Sequence, residues 1–164
     1  MEKSGFKSGQ VDTNVYFQFG ENGSIEIARW YVDNGLLAAN STKSMDQMIT
    51  NICGSFDIQD LGEPDHLLRV KISRVWDLGT IHISQLSFIN IIARGFNISS
   101  GRSVMSPMDP SVDLYPASNM DKSVDVPYAS LIGSINYCAI TTWPDISYTT
   151  NKCAQFTSKP TLIY

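Results

Sequence analysis

The sequence has few of the features that mark secreted, zinc-binding or membrane-spanning chains. Its three cysteines are Cys53, Cys138 and Cys153, and no two of them form a Cys-x-x-Cys pair. This odd count argues against a disulfide framework and against a zinc site, and it predicts buried free thiols. No apolar run approaches the roughly 18 residues of a membrane span, and residues 1–5 lack the apolar segment of a signal peptide. These absences predict an intracellular chain, cytoplasmic or nuclear, without a membrane partner.

Basic charge is also scarce. The formal net charge is −4 and the sequence pI is about 5.0. Because clustered Lys and Arg supply most of the affinity for nucleic acid, this balance argues against strong nucleic-acid binding by the isolated chain. One local basic cluster contains Arg69, Lys71 and Arg74. On a strand Arg69 and Lys71 share one face and Arg74 lies on the other, so we interpret the cluster as a solvated strand surface.

The pattern of apolar residues predicts an α+β fold with strands early in the chain and helices late. With 164 residues and 43% apolar content the chain is large enough for one ordinary domain with a core. The predicted strands cover residues 14–19, 24–32, 36–39, 66–74 and 80–84. The predicted helices cover residues 43–56, 85–95, 127–140 and 144–157. Residues 97–123 read as a long irregular connection.

Several helix boundaries and faces also follow from the pattern. Ser41 or Thr42 is expected to cap the first helix, and Ser84 the second. The expected core face of the first helix contains Met45, Met48, Ile49, Ile52 and Phe56. The expected core face of the second contains Leu86, Ile89 and Ala93.

The segment most indicative of a functional site is Tyr31-Val32-Asp33-Asn34. It separates two predicted strands and is followed by Gly35. Asn and Gly tolerate positive φ, so the pattern predicts a hairpin turn at Asp33-Asn34 with both side chains at its tip. A carboxylate in that position can hold a divalent metal against a phosphate. The same residues are also compatible with a hairpin that has only a structural role.

This stretch resembles the Tyr-x-Asp-Asp hairpin of reverse transcriptases, and specifically the Tyr-Val-Asp-Asp form of Ty1/copia retrotransposons. Further segments resemble that family in the same order along the chain. Examples are Asp60-Leu61-Gly62, Ser84-Gln85 and Leu131-Ile132-Gly133-Ser134. The resembling segments are residues 5–17, 56–63, 68–74, 81–89, 104–108, 128–137 and 143–148, and they cover nearly the whole chain.

The resemblance implies an antiparallel palm-type sheet with a packed helix in residues 1–80, then a helical thumb and the start of a connection region in 81–164. It implies Mg²⁺ as cofactor and an RNA or DNA template–primer as partner. Asp33 matches the first catalytic, metal-binding Asp of the hairpin, and Asn34 occupies the position of the second. No residue is assigned to an organic cofactor. The family's remaining catalytic Asp is expected upstream of the residues present.

These departures predict a remnant of an RNA-directed DNA polymerase without activity by itself. Two alternatives stay open. The chain is an active polymerase when a longer product or a second chain completes it, or it is a non-catalytic binding module for nucleic acid or protein. We also expect self-association, because Val15, Phe17 and residues 25–30 are expected to lack neighbouring strands.

Overall fold

Two antiparallel sheets and four α-helices occupy the part of the chain that the computed structural model describes, which is residues 5–20, 23–98, 104–109, 111, 114–115 and 127–160. This confirms the α+β fold class. The chain divides into two compact units, Met1–Pro64 and Asp65–Tyr164. A compact unit is not the same as a family subdomain, so the palm–thumb boundary near residue 80 stays a prediction.

The sheet of the first unit has four strands in sequence order. They are β1 (Lys7–Ser8), β2 (Val15–Phe19), β3 (Ile25–Tyr31) and β4 (Asn34–Ala39). Helix α1 follows at Thr42–Ser55. The hydroxyl oxygen of Ser41 accepts a hydrogen bond from the Ser44 backbone N–H at 3.1 Å. This confirms Ser41 as the N-cap of α1.

Helix α1 packs on one face of this sheet. Phe6, Met48 and Ile52 form the buried core, and the half-buried Tyr16, Trp30, Leu37 and Met45 pack against it. The predicted core positions Met48 and Ile52 are therefore confirmed. Phe56 is not a core residue, since the helix ends at Ser55 and its side chain is exposed.

The expectation of unpaired strands is wrong. β3 is a central strand that pairs with β2 on one side and β4 on the other, and β1 pairs with residues 16–17 of β2. What stays exposed is the sheet face opposite α1, which carries Phe19, Ile25 and Ile27. This exposed apolar face is a feature that favours self-association.

The second unit begins with a three-stranded sheet in sequence order. Its strands are β5 (His66–Leu67), β6 (Val70–Val75) and β7 (Thr80–Ser84). The single strand predicted at 66–74 is wrong, because the chain reverses at Leu68–Arg69 and β5 pairs back onto β6. A 3₁₀ turn at Trp76–Leu78 and Gly79, with a φ of 60°, connect β6 to β7.

Three helices complete the second unit. They are α2 (Leu86–Gly95), α3 (Tyr128–Thr141) and α4 (Ser147–Ala154), with a 3₁₀ turn at Pro144–Ile146 before α4. The N-cap of α2 is Gln85 and not the predicted Ser84, and no side chain caps the helix; the Ser84 hydroxyl accepts a hydrogen bond from the Leu86 N–H at 3.3 Å. The predicted core face of α2 is correct in part, since Ile89 and Ala93 are half-buried. Leu86 is exposed, and the buried Ile92 was not predicted.

Most of the connection expected at residues 97–123 lies outside the described residues. Among the helices that are described, none is long and apolar enough to cross a membrane.

Candidate functional site

The β3–β4 hairpin closes with a two-residue turn formed by Val32 and Asp33. The strand register pairs Trp30 with Gly35 and Tyr31 with Asn34. Asp33 therefore lies in the turn as predicted, whereas Asn34 is the first residue of β4 and not a turn residue. The predicted turn at Asp33-Asn34 is one residue too far along the chain.

The turn contains a strained residue. Val32 has a φ of 56°, whereas Asn34 and Gly35, which were expected to take the positive φ, do not. The left-handed region costs an L-residue about 1–2 kcal/mol, and a β-branched residue there is a true outlier. Val32 is 90% exposed, so packing of its side chain does not offset this cost. Strained residues of this kind concentrate at functional sites.

Trp30 and Gly35 fix the register of the hairpin. A Cβ atom built on Gly35 would lie 2.4 Å from a carbon of the Trp30 ring, so the indole lies directly across the glycine. The same indole packs against the core of the first unit. Its buried Nε1 has no hydrogen-bond partner among the described residues. The absence of a side chain at Gly35 leaves room for the ring of Trp30. Asp33, two residues before Gly35, therefore lies at the tip of the ribbon.

The tip presents one charged group. The side chains of Asp33 and Asn34 are both exposed, and an Asn amide oxygen is a neutral ligand. Within the described ranges no three His, Cys, Asp or Glu side chains are grouped so that they could hold a metal ion. The next charged residue along β3 is Arg29, and its guanidinium lies 3.7 Å from the Asp12 carboxylate. The described tip therefore offers a divalent cation one carboxylate and one neighbouring amide oxygen.

Two features of the site were not predicted from the sequence. The first is the placement of the turn at Val32-Asp33, and the second is the strain at Val32. The register could have been found from Trp30 and Gly35, because a large aromatic residue opposite a glycine is a recurrent cross-strand pair. No local signal predicts that a valine accepts the left-handed region.

Comparisons with known proteins connect this chain to retrotransposons. It is 29% identical over its whole length to a putative transposon Ty5-1 protein of Saccharomyces cerevisiae, and it covers 53% of that protein. It is 30% identical over 156 residues to the retrovirus-related Pol polyprotein from transposon TNT 1-94 of Nicotiana tabacum, with 91% of this chain and 12% of the polyprotein matched.

A third relative is the retrovirus-related Pol polyprotein from transposon RE1 of Arabidopsis thaliana. The identity is 31% over 158 residues, which are 96% of this chain and 10% of the polyprotein. The chain therefore spans about half of the yeast protein and about a tenth of each plant polyprotein. No family model matches the chain, and no solved structure matches it. The relatives are Ty/copia-type retrotransposon Pol polyproteins, and this similarity supports a retroelement-derived protein.

Proposed function

We propose that this chain derives from the reverse transcriptase region of a Ty1/copia-type retrotransposon and has no RNA-directed DNA polymerase activity by itself. The observation that carries the proposal is the hairpin turn at Val32-Asp33. It holds an exposed carboxylate at the tip of a two-stranded ribbon next to a strained residue. A plain structural hairpin has no need of a left-handed valine, which costs stability and buries nothing.

The comparisons support the retroelement part of the proposal. They match the chain to a tenth of two long Pol polyproteins. The Tyr-Val-Asp hairpin and the further segments in family order favour the reverse transcriptase as the part that is matched.

The chemistry of the tip is the reason to propose inactivity. Nucleotidyl transfer uses two metal ions about 3.5–4 Å apart that clamp the attacking and leaving oxygens. Mg²⁺ binds through carboxylates and substrate phosphates in near-octahedral geometry. Asn34 stands beside Asp33 where the resemblance implies a second carboxylate, and its neutral amide does not offset the charge of a metal ion. A site with one carboxylate is therefore expected to hold a catalytic metal pair poorly.

The test is primer extension on RNA and DNA templates with Mg²⁺ or Mn²⁺, using the full chain and an active reverse transcriptase as the positive control. The parent protein, Asp33→Ala and Asn34→Asp are compared at equal concentration. We expect no extension from any of them, since Asn34→Asp adds one carboxylate but does not supply the remaining positioning groups. Template-dependent extension by the parent protein above the Asp33→Ala level would overturn the proposed inactivity.

A second candidate is the same region acting within a longer product. The small share of each plant polyprotein that the chain covers favours it. Here the expected result is extension by the parent chain only when a fragment carrying the missing catalytic strand is added. No extension in that mixture, with the positive control active, would exclude this candidate for that fragment.

A further inference from the structure

The first two residues of β4 are an Asn-Gly pair, Asn34 and Gly35. Asparagine followed by glycine is the dipeptide most prone to spontaneous deamidation, because glycine has no side chain to hinder its backbone nitrogen. In that reaction the glycine nitrogen attacks the side-chain carbonyl carbon of the asparagine, and ammonia leaves. A folded chain permits the reaction where the nitrogen and the amide are both accessible and neither is held by a hydrogen bond.

The backbone N–H of Gly35 is not used by the sheet. Opposite residues of an antiparallel pair exchange both backbone hydrogen bonds or neither, and the two arrangements alternate along the ladder. Trp30 lies opposite Gly35, and its N–H donates away from β4, to the Asn14 carbonyl at 3.0 Å. The Trp30–Gly35 pair is therefore the kind without hydrogen bonds, and the Gly35 N–H points to the outer side of β4. Since β4 is the last strand of its sheet, no strand of the described chain covers that side.

The side-chain amide of Asn34 is accessible as well. Asn34 and Gly35 are both exposed, and the Asn34 amide makes no hydrogen bond within the described part of the chain. Asn40, at the other end of β4, shows the contrasting case. Its amide accepts from the Ile25 N–H and donates to the Gly23 carbonyl, both at 3.0 Å. The Asn34 amide is therefore free to rotate toward the following nitrogen, whereas the Asn40 amide is held.

The backbone at Asn34 must also open locally, because an extended residue keeps its side chain away from the next nitrogen. Asn34 pairs with Tyr31 at the very end of the β3–β4 ladder, and the ends of ladders open at low cost in free energy. Opening this turn also releases the left-handed conformation of Val32. The position of the pair at the hairpin tip therefore favours the reaction.

We propose that Asn34 is a site of spontaneous deamidation. The Gly35 nitrogen forms a bond to Cγ of Asn34, its proton leaves with the amide NH₂ as ammonia, and a five-membered succinimide ring results. Water then opens the ring. Attack of water at Cγ gives aspartate at position 34, and attack at the backbone carbonyl carbon gives isoaspartate. The sum of the steps consumes one water and releases one ammonia, without an oxidant or a reductant.

Either product places a second carboxylate beside Asp33. The tip then carries two adjacent negative charges, where the encoded sequence gives it one. If the tip is a metal site as proposed above, the aspartate product supplies the carboxylate that Asn34 lacks, and the affinity for Mn²⁺ is expected to rise. Only this consequence rests on the proposed function, since the deamidation itself follows from the chemistry and exposure of Asn34 and Gly35.

The other Asn-Gly pair of the chain, Asn22-Gly23, serves as an internal reference. It is also preceded by an acidic residue, Glu21 in place of Asp33, so the two sites have matched local chemistry. The Gly23 N–H, however, donates a hydrogen bond to the Gly20 carbonyl at 3.2 Å. That bond must break before the nitrogen can attack, which is expected to slow the reaction at Asn22 roughly fivefold relative to Asn34.

The experiment follows both sites in the freshly purified full chain during incubation in a mildly alkaline buffer. The tryptic peptides Ser8–Arg29 and Trp30–Lys43 each contain one Asn-Gly pair, and their fragment mass spectra locate each conversion of amide to carboxylate. A parallel incubation in guanidinium chloride removes the fold. Asn34→Gln is the matched variant, because it keeps an amide at this position but its longer side chain does not close a five-membered ring.

In the native chain we expect Asn34 to convert roughly fivefold faster than Asn22, and in the denaturant we expect equal rates. Asn34→Gln is expected to keep its amide and to leave the rate at Asn22 unchanged. Equal rates in the native chain, or faster conversion of Asn22, would overturn the proposal. A preference for Asn34 that persists unchanged in the denaturant would also overturn it, because the preference would then not come from the fold.

Mn²⁺ binding separates this proposal from the proposed function. The aspartate product is isolated by ion exchange, and the Mn²⁺ broadening of its amide signals at residues 31–35 is compared with that of the fresh protein. Conversion of Asn34 with unchanged Mn²⁺ affinity supports the modification and contradicts a metal-binding role of the tip. An Asn34 that stays intact while Asn22 converts contradicts the modification, and the metal-binding role is then tested with Asn34→Asp.

Discussion

The strain at Val32 predicts that replacing this residue with glycine stabilises the protein. The left-handed conformation costs a non-glycine residue about 1–2 kcal/mol, and Val32→Gly removes that cost. The side chain is 90% exposed, so its removal sacrifices little packing. Glycine is disfavoured by about 0.5–1 kcal/mol through the entropy of the unfolded chain. The balance is a gain of about 0.5–1 kcal/mol in the free energy of unfolding.

Val11→Gly is the matched control for this prediction. Val11 is also a fully exposed valine of the first unit, and it does not have a positive φ. The same change there has no strain to relieve and is expected to lower the free energy of unfolding by about 0.5–1 kcal/mol. The two substitutions are therefore expected to change the free energy of unfolding in opposite directions, although both replace valine with glycine.

The assay is urea unfolding of the full chain followed by peptide-resolved hydrogen exchange. This readout follows the strands of the first unit separately from those of the second. The expected result is a higher urea midpoint for Val32→Gly and a lower midpoint for Val11→Gly, with unchanged slopes. If both variants lower the midpoint by the same amount, the left-handed valine is not strained in solution and the argument from strain fails.

Three further predictions follow from the first unit and the cysteines. Gly35→Ala places a Cβ atom 2.4 Å from the Trp30 ring and is expected to destabilise the first unit by about 1–3 kcal/mol in urea unfolding; unchanged stability would show that the ring is free to move. Burial raises the pKa of the Cys138 thiol, so less of it is thiolate near neutral pH. Iodoacetamide should therefore label the exposed Cys53 first, and equal labelling rates in the native protein would contradict this burial. Sedimentation is expected to show concentration-dependent self-association that Phe19→Ser reduces; a monomer at all concentrations would contradict this.

The sequence was sufficient to predict the elements whose local signals agree with their packing. The strands around the first hairpin, the Ser41 cap and the core positions Met48 and Ile52 of α1 are of this kind. Periodicity and capping chemistry are local, and α1 covers one face of the sheet. The predicted positions Met48 and Ile52 are therefore buried, whereas Phe56 lies beyond the end of the helix and is exposed.

The two strained turns show where local signals fail. Val32, Leu68 and Arg69 take positive φ, although glycine and asparagine are the residues that turn preferences lead one to expect there. In the second turn, contacts from Tyr137 and Phe88 hold the backbone, and these residues lie far along the chain. Long-range contacts of this kind are not visible in a window of a few residues, so the turn at Leu68–Arg69 was not predicted.

The placement of Asn34 has a similar explanation. Asp-Asn-Gly is a strong turn signal, but the contact of Trp30 with Gly35 sets the register and moves the turn one residue earlier. Packing of one large ring therefore outweighs the local preference.

The measurement that tests the central claim most directly is Mn²⁺ binding at the hairpin tip, followed by paramagnetic broadening of the backbone amide signals of residues 31–35. The parent protein is compared with Asn34→Asp and with Asn51→Asp, which adds the same charge at an exposed position of α1. If Asp33 is one ligand of a metal site whose second carboxylate is replaced, Asn34→Asp will broaden these signals at a lower Mn²⁺ concentration. Asn51→Asp will match the parent, and adding Asp33→Asn to Asn34→Asp will cancel the gain. Identical broadening of these signals in Asn34→Asp and Asn51→Asp would contradict the account.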